Sequence, residues 1–127
     1  MKAFASRMFL AVGLLFLASV AASAQVLPPL SVWKNQRGSL LTLVPLGGTS
    51  LGGVFTNFAP GFQCQGIPYP VTGSVLPNGA ITFQVNFVAC NTVTTWRGRV
   101  NGRQMPTRWV LFYNGRRMTG TDLFTMQ

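Results

Sequence analysis

The sequence predicts an all-β protein, an eight-stranded antiparallel up-and-down β-barrel, and three observations support this prediction. Turn signals recur at intervals of about ten to thirteen residues, apart from one longer gap. Apolar and polar residues alternate between these signals, as they do in strands with one buried face. Strong helix formers are scarce after residue 25, where the chain has no glutamate and one lysine. Even spacing is typical of a sandwich or a barrel, and neighbour-to-neighbour connections favour the barrel.

The N-terminal segment, residues 1–24, has the features of a signal peptide. Lys2 and Arg7 form a positive region, an uncharged and mostly apolar run from Met8 to Val20 follows, and Ala22-Ser23-Ala24 has the small residues of a cleavage site. The apolar run is too short for a transmembrane anchor, which needs about 20 residues. We therefore expect a secreted or periplasmic protein whose mature chain, residues 25–127, is one domain.

The predicted turns divide the mature chain into eight strands. Asn-Gly is the strongest short hairpin signal, because both central positions of a type I′ turn need positive φ. The short turns are Gln36-Arg37-Gly38, Gly47-Gly48, Asn78-Gly79, Asn101-Gly102 and Asn114-Gly115, and the longer connections run from Phe58 to Pro68 and from Val88 to Asn91. A barrel of eight strands encloses enough space for one small ligand.

Strand 5 shows the alternation most clearly. One face carries Ile81, Phe83, Val85 and Phe87, and the other carries Thr82, Gln84 and Asn86. Period-two patterning places one of these sets inside the barrel. Some other strands are apolar on both faces, which indicates that part of the outer surface is covered, as in an oligomer.

The charge balance of the chain is strongly basic. Ten Lys and Arg residues accompany one acidic residue, and the mature chain keeps eight of the ten, for a net charge of +7. Such a charge attracts anionic partners. The basic residues are spread along the chain without a cluster, which favours a solvated basic surface over nucleic-acid binding.

The two cysteines, Cys64 and Cys90, are expected to form one disulfide. An even count in an exported protein indicates a bridge. Two thiols in a chain without histidine cannot complete a zinc site, so no metal or cofactor is predicted.

At one end of the predicted barrel, which we call the mouth, several polar residues are predicted to point inward. Turns alternate between the two ends of a meander, so both long loops and both cysteines lie at the mouth. The polar residues are Asn35 at the end of strand 1, Ser39 at the start of strand 2, Asn57 at the end of strand 3 beside Phe55, Thr92 and Thr94 at the start of strand 6, and Asp122, which opens strand 8. Phe87, Trp96 and Trp109 line the same space. An apolar pocket with a few convergent polar groups is the expected form of a small-molecule site.

Each of these residues also has an ordinary structural explanation. Asn35 and Ser39 could cap the first turn through local hydrogen bonds. Asp122, the only acidic residue of the chain, could pair with an arginine outside the barrel. Trp96 and Trp109 could be core residues. Because all of these residues are predicted to face inward at the same end of the barrel, a binding site is favoured over the separate structural explanations.

Seven stretches of the sequence resemble the avidin/streptavidin family, in family order and over nearly all of the mature chain. The stretches are Trp33-Lys34-Asn35-Gln36-Arg37-Gly38-Ser39, Gly53-Val54-Phe55-Thr56, Tyr69-Pro70-Val71-Thr72-Gly73, Phe83-Gln84-Val85-Asn86-Phe87, Thr94-Thr95-Trp96-Arg97-Gly98, Thr107-Arg108-Trp109 and Gly120-Thr121-Asp122-Leu123-Phe124-Thr125. The segment 57–73 and the placement of Cys64 and Cys90 are most similar to the short dimeric avidins such as rhizavidin, which bridge the two loops.

The resemblance implies that the protein binds biotin in the mouth. Asn35 and Ser39 would donate hydrogen bonds to the ureido oxygen, and Asn57 and Asp122 would accept from, or orient, the ureido N–H groups. Thr94 would contact the ring sulfur. The remaining implied contacts are those of Thr92 with the valerate carboxylate and those of Phe87, Trp96 and Trp109 with the bicyclic ring and its tail.

The chain departs from the family pattern in three places. Phe55 stands where the family usually has a tyrosine that donates to the ureido oxygen, so we expect weaker binding by about 0.5–1.5 kcal/mol. Phe87 replaces a tryptophan of the pocket wall. The connection between strands 7 and 8 is short and lacks the tryptophan that tetrameric members lend to a neighbour, so a homodimer is expected.

Composition argues against an enzyme. The chain has no histidine and no pair of carboxylates, so general acid–base catalysis lacks its usual groups. Two other interpretations stay open beside biotin binding. The same barrel could bind a different small cyclic ligand, or the chain could be a cationic secreted protein that binds anionic surfaces, in which case salt would weaken the binding steeply.

Overall fold

Eight antiparallel strands close into one barrel in the computed structural model, which describes residues 26–127. The strands are β1 (Ser31–Asn35), β2 (Leu40–Gly47), β3 (Ser50–Thr56), β4 (Pro68–Val75), β5 (Ala80–Phe87), β6 (Thr92–Arg99), β7 (Gln104–Tyr113) and β8 (Arg116–Met126). Each strand pairs with its neighbour in sequence, and β8 pairs with β1 to close the barrel. The predicted fold class is confirmed. The predicted signal peptide lies outside the described residues.

The connections follow the predicted positions with differences in detail. Asn114 and Gly115 have φ values of 49° and 71°, as a type I′ turn requires. At the other two Asn-Gly pairs, only the glycine has positive φ, because the connections 76–79 and 100–103 are four residues long. Loops of this length are commonly built around a type I turn, which needs no positive φ at asparagine. A short 3-10 helix, Val88–Cys90, lies in the predicted loop between β5 and β6.

The core lies inside the barrel, toward the end opposite the mouth. The inward residues of β5 are buried in strict alternation, as the sequence pattern predicts. The described side chains with the least exposure include Trp33, Leu41, Leu43, Phe83 and Phe124. No described helix has both the length and the apolar character needed to cross a membrane.

The strands at the point of closure have very different lengths. β1 has 5 residues, whereas β7 has 10 and β8 has 11. β1 pairs with β8 only between Trp33↔Met126 and Asn35↔Phe124. The expectation that Asp122 opens strand 8 is therefore wrong, because β8 begins at Arg116 and the β7–β8 hairpin projects beyond the end of β1.

The disulfide joins the two long connections at the mouth. Cys64 and Cys90 are bonded, with a Cα–Cα distance of 6.0 Å and a sequence separation of 26. The Tyr69 hydroxyl lies 3.6 Å from Cys64 Sγ, beneath the bridge. Closing a loop of this length restricts the unfolded chain and contributes about 3.5 kcal/mol in the entropic model. The predicted bridge is confirmed.

Candidate ligand-binding site

An open cavity of about 490 Å³ occupies the mouth of the barrel. Its size is typical of pockets for small molecules. All ten residues that the sequence places in the mouth line this cavity, and they are Asn35, Ser39, Phe55, Asn57, Phe87, Thr92, Thr94, Trp96, Trp109 and Asp122. Nine of them are buried, and Thr92 is partly exposed at the rim. These side chains therefore face inward at one end of the barrel, as the sequence pattern predicts.

Asn35 organises the turn between β1 and β2. Its Oδ1 accepts hydrogen bonds from the backbone N–H of Arg37 at 3.0 Å and of Ser39 at 2.9 Å. The capping role considered for Asn35 is therefore real. With its oxygen engaged in the turn, the buried amide offers its Nδ2 hydrogens as the donors for a ligand in the cavity.

Ser39 and Asn57 form a buried pair beside this turn. The Ser39 hydroxyl donates to Asn57 Oδ1 at 3.2 Å and accepts from the backbone N–H of Phe58 at 2.9 Å. Asn57 Oδ1 also accepts from Ala59 N, and its Nδ2 donates to the carbonyl of Gln63. Because the hydroxyl proton can rotate, Ser39 could donate to a ligand oxygen instead, and Asn57 Oδ1 would then regain an accepting position.

Asp122 is the buried acceptor of the site, with 5% of its surface exposed. Trp96 Nε1 donates to Oδ2 at 2.9 Å, and Oδ1 accepts from Gln36 Nε2 at 3.1 Å and from Arg37 Nε at 3.2 Å. The alternative in which Asp122 pairs with an arginine is thus also realised, through Arg37 at the rim. Three donors offset the cost of burying the carboxylate, and Oδ2 keeps a lone pair for a ligand N–H.

Aromatic rings form the sides of the cavity. Trp96 stacks on Phe83 with ring centroids 5.1 Å apart, and its ring centroid lies 4.9 Å from that of Phe55 in a tilted contact. Phe87 meets Phe55 edge to face at 5.9 Å and Tyr69 at 5.2 Å. These contacts fix the ring positions, because each aromatic side chain packs against at least one other.

Trp109 lies flat across Gly120, its cross-strand partner in β8. A Cβ atom at Gly120 would collide with the six-membered ring and Nε1 of Trp109. The glycine therefore lets the indole lie close to the wall of the barrel, and the cavity keeps its width at this level.

Two rim residues, Arg37 and Phe62, were missed by the sequence interpretation. The Arg37 guanidinium lies 5.7 Å from the ring centroid of Phe62, and this ring meets Trp109 edge to face at 6.3 Å. Both residues lie in connections, where period-two alternation gives no information. The sequence does contain one signal for Arg37. Asp122 is the only acidic residue of the chain, so its partner is expected among the basic residues at the mouth.

The projecting β7–β8 hairpin adds a second group of lining residues that the sequence interpretation did not assign to the site. These are Leu111, Tyr113, Arg116, Arg117 and Met118. Leu111 and Tyr113 continue the inward parity of Trp109 along β7, toward the solvent. Recognising them required knowledge of how far the hairpin extends past β1.

The polar groups of the site form one set of donors and acceptors. Among residues 26–127, no group of three metal-ligating side chains lies together. In the same range, every fully buried polar side-chain atom has a hydrogen-bond partner. Donors from Asn35 and Ser39 and acceptors on Asn57 and Asp122 converge on one apolar cavity. This set is complementary to a compact ring that carries a carbonyl oxygen beside N–H groups.

Comparisons with known proteins agree with this geometry. A family model described as the Avidin family matches residues 23–125. Afifavidin from Afifella pfennigii is 42% identical over 108 residues, which are 76% of this chain and 67% of afifavidin. The structure of a bradavidin2–biotin complex has a TM-score of 0.75 and 48% identity, covering 80% of this chain and 99% of that one. A short afifavidin–biotin complex has a TM-score of 0.72 and 39% identity, covering 79% and 90%.

Replacing Gly120 with alanine should destabilise the protein and narrow the cavity, because the indole of Trp109 would have to move inward. Overpacking of this kind costs about 1–3 kcal/mol of the free energy of unfolding, which denaturant titration measures. Thr119→Ala, at the exposed neighbouring position, is the matched control. Equal stability of the two variants would show that Trp109 does not depend on the glycine.

Proposed function

This chain belongs to the avidin family, and on that premise we propose that it binds biotin, without catalysis, in the mouth of its barrel. The observation that carries the proposal is the convergence of two donor residues and two acceptor residues on one aromatic cavity of about 490 Å³. The biotin complexes of bradavidin2 and short afifavidin, to which the chain is similar, support it.

The ureido head of biotin fits the paired groups at the base of the site. Asn35 donates from its amide, whose oxygen is occupied by the turn. Ser39 redirects its hydroxyl proton from Asn57 to the ureido oxygen, and Asn57 Oδ1 then accepts a ureido N–H. The two changes are coupled, because the Ser39–Asn57 hydrogen bond of 3.2 Å must break for both.

Asp122 accepts the second ureido N–H through Oδ2. Its position is fixed before binding by Trp96, Gln36 and Arg37, so the acceptor needs little reorganisation. A preformed site of this kind lowers the entropy cost of association. In the dry interior of the barrel, each hydrogen bond to the polarised urea is also stronger than in water.

The rest of the ligand meets the sides of the cavity. Thr94 contacts the ring sulfur, and Trp96 and Trp109 cover the bicyclic ring and the start of the tail. The tail passes Phe87, and its carboxylate reaches Thr92 at the rim. Apolar burial of the ring system supplies a large part of the binding free energy in such pockets.

We expect Asp122→Asn to weaken biotin binding by at least about tenfold, and Asp122→Ala by more. The first variant keeps the volume but removes the charge, and a hydrogen bond to a charged group contributes about 1.5–3 kcal/mol. Calorimetric titration of the oxidised protein measures both variants, with Asn86→Ala on the exposed face of β5 as control.

The same titration has outcomes that would reject the proposal. Absence of heat and of thermal stabilisation with excess biotin would exclude biotin as the ligand, and screening would turn to other small cyclic ureas and lactams. Equal affinity of the wild-type and Asp122→Asn proteins would remove Asp122 from the site. Association with anionic surfaces that disappears at high salt, without biotin binding, would favour the cationic surface-binding interpretation.

Phe55→Tyr should strengthen biotin binding. The phenol hydroxyl would supply a third donor to the ureido oxygen, beside Asn35 and Ser39, and one such hydrogen bond contributes about 0.5–1.5 kcal/mol, or roughly twofold to twelvefold in the dissociation constant. The dissociation rate of biotin is the measurement, and the melting temperature of the unliganded variant is the control for misfolding. Unchanged or faster dissociation in a well-folded variant would contradict the role given to Phe55.

The mature protein is proposed to be exported and to form a homodimer. Val93 and Phe112 are cross-strand partners on the outer face, and Phe112 is about half exposed, so part of the outer wall is apolar. The two-residue turn between β7 and β8 contains no tryptophan that could complete a neighbour's site. Protein recovered from the secreted fraction should begin at Gln25 by mass spectrometry and have twice the chain mass by light scattering. An uncleaved N-terminus would contradict export with cleavage, and the mass of one chain would contradict the dimer.

A further inference from the structure

The cavity continues beyond the barrel along the β7–β8 hairpin. Across β6, β7 and β8, the cross-strand partners Thr92, Tyr113 and Arg116 form one row of the inward face at the rim. The row below it consists of Thr94, Leu111 and Met118. All six residues line the cavity, although the rim row lies at the far end of strands that extend past β1.

Arg116 and its neighbour Arg117 bring uncompensated positive charge to this rim. Both are exposed and both line the cavity, Arg116 from the inner face and Arg117 from the outer-face position opposite Phe112. The only acidic residue of the chain is Asp122, and its carboxylate is paired with Arg37. The two guanidinium groups at the hairpin therefore have no second acidic side chain in the sequence with which to pair. A cavity entrance lined by one sign of charge attracts ligands of the opposite sign.

We propose that the hairpin subsite, formed by Thr92, Tyr113, Arg116 and Arg117, recognises an oxyanion carried at the end of an extended biotin tail. This assignment rests on the proposed function of the cavity. The ligand class is a biotin amide whose added arm ends in a sulfonate, phosphate or carboxylate. Such a ligand keeps the ureido head in the barrel and places its charge at the rim.

The spacing of the strands favours a tail longer than that of biotin itself. Thr92 and Arg116 lie two strands apart, which is about 10 Å between backbones. The valerate carboxylate ends at Thr92, so an arm of a few more atoms is needed to bring an oxyanion to the arginines. Guanidinium groups bind oxyanions through paired N–H donors, and Tyr113, the cross-strand partner of both Thr92 and Arg116, adds a hydroxyl donor to the same row.

The experiment compares two biotin amides of nearly equal length. N-biotinyltaurine ends in a sulfonate, and N-biotinylethanolamine ends in a neutral hydroxyl group. The wild-type protein should bind the sulfonate about 1.5-fold to fivefold more tightly, as expected for exposed charge pairs. Arg116→Gln/Arg117→Gln should abolish this preference and leave the affinity for the alcohol unchanged. High salt should also reduce the preference.

The control variant removes the same amount of charge elsewhere. Arg97 and Arg108 are exposed cross-strand partners on the outer face of β6 and β7, away from the cavity. Arg97→Gln/Arg108→Gln should keep the preference for the sulfonate. A preference that both double variants lose equally would show an effect of net charge alone and overturn the subsite, as would equal binding of the two amides by the wild-type protein.

Free biotin, titrated in parallel, separates the two levels of the proposal. If biotin and the neutral amide bind, and the sulfonate binds no more tightly than the neutral amide, only the hairpin subsite is overturned. If biotin does not bind, the proposed function fails, and the subsite fails with it. Normal melting temperatures of both double variants exclude misfolding as the cause of a lost preference.

Discussion

The ligand-binding end of this barrel depends on one buried carboxylate. Asp122 is the only acidic residue of the chain, and it accepts hydrogen bonds from Trp96 in β6 and from Gln36 and Arg37 in the turn after β1. A buried carboxylate is unfavourable unless donors surround it, so these three segments must adopt one relative arrangement. The Gln36 amide strengthens the link, because its oxygen also accepts from the backbone N–H of Leu123.

The groups that face the ligand follow from this arrangement. Asn35 caps the turn that contains Gln36 and Arg37. Ser39 follows this turn and directly precedes β2. The donors Asn35 and Ser39 and the acceptor Asp122 are therefore parts of one hydrogen-bonded network. Such a network positions several polar groups with little remaining freedom, which a small rigid ligand requires of its site.

Local pattern was sufficient to predict much of this structure. Alternation with period two assigns a side chain to the inner or outer face without knowledge of its neighbours, so ten of the residues that line the cavity could be named from the sequence. The positions of five short turns followed from glycine and asparagine. The Cys64–Cys90 bridge followed from an even cysteine count and from loops that share one end.

What could not be predicted depends on how the barrel closes. The stagger between the first and last strands sets which residue of β8 lies beside Asn35, and no local pattern encodes it. The pairing of Asp122 with Arg37 and the projection of Arg116 beyond β1 both follow from that stagger. The contact of Trp109 with Gly120 depends instead on the register of β7 against β8, which the two-residue turn at Asn114-Gly115 sets.

The pairing of the shortest strand with the longest also determines where the chain leaves the barrel. β1 runs from Ser31 toward the mouth, and β8 runs away from the mouth to Met126. The start of β1 and the end of β8 therefore both lie at the end of the barrel opposite the mouth. Gln127 remains there through a hydrogen bond from its backbone N–H to the carbonyl of Val32. A carrier domain or an immobilising surface joined at either point would therefore leave the cavity open to solution.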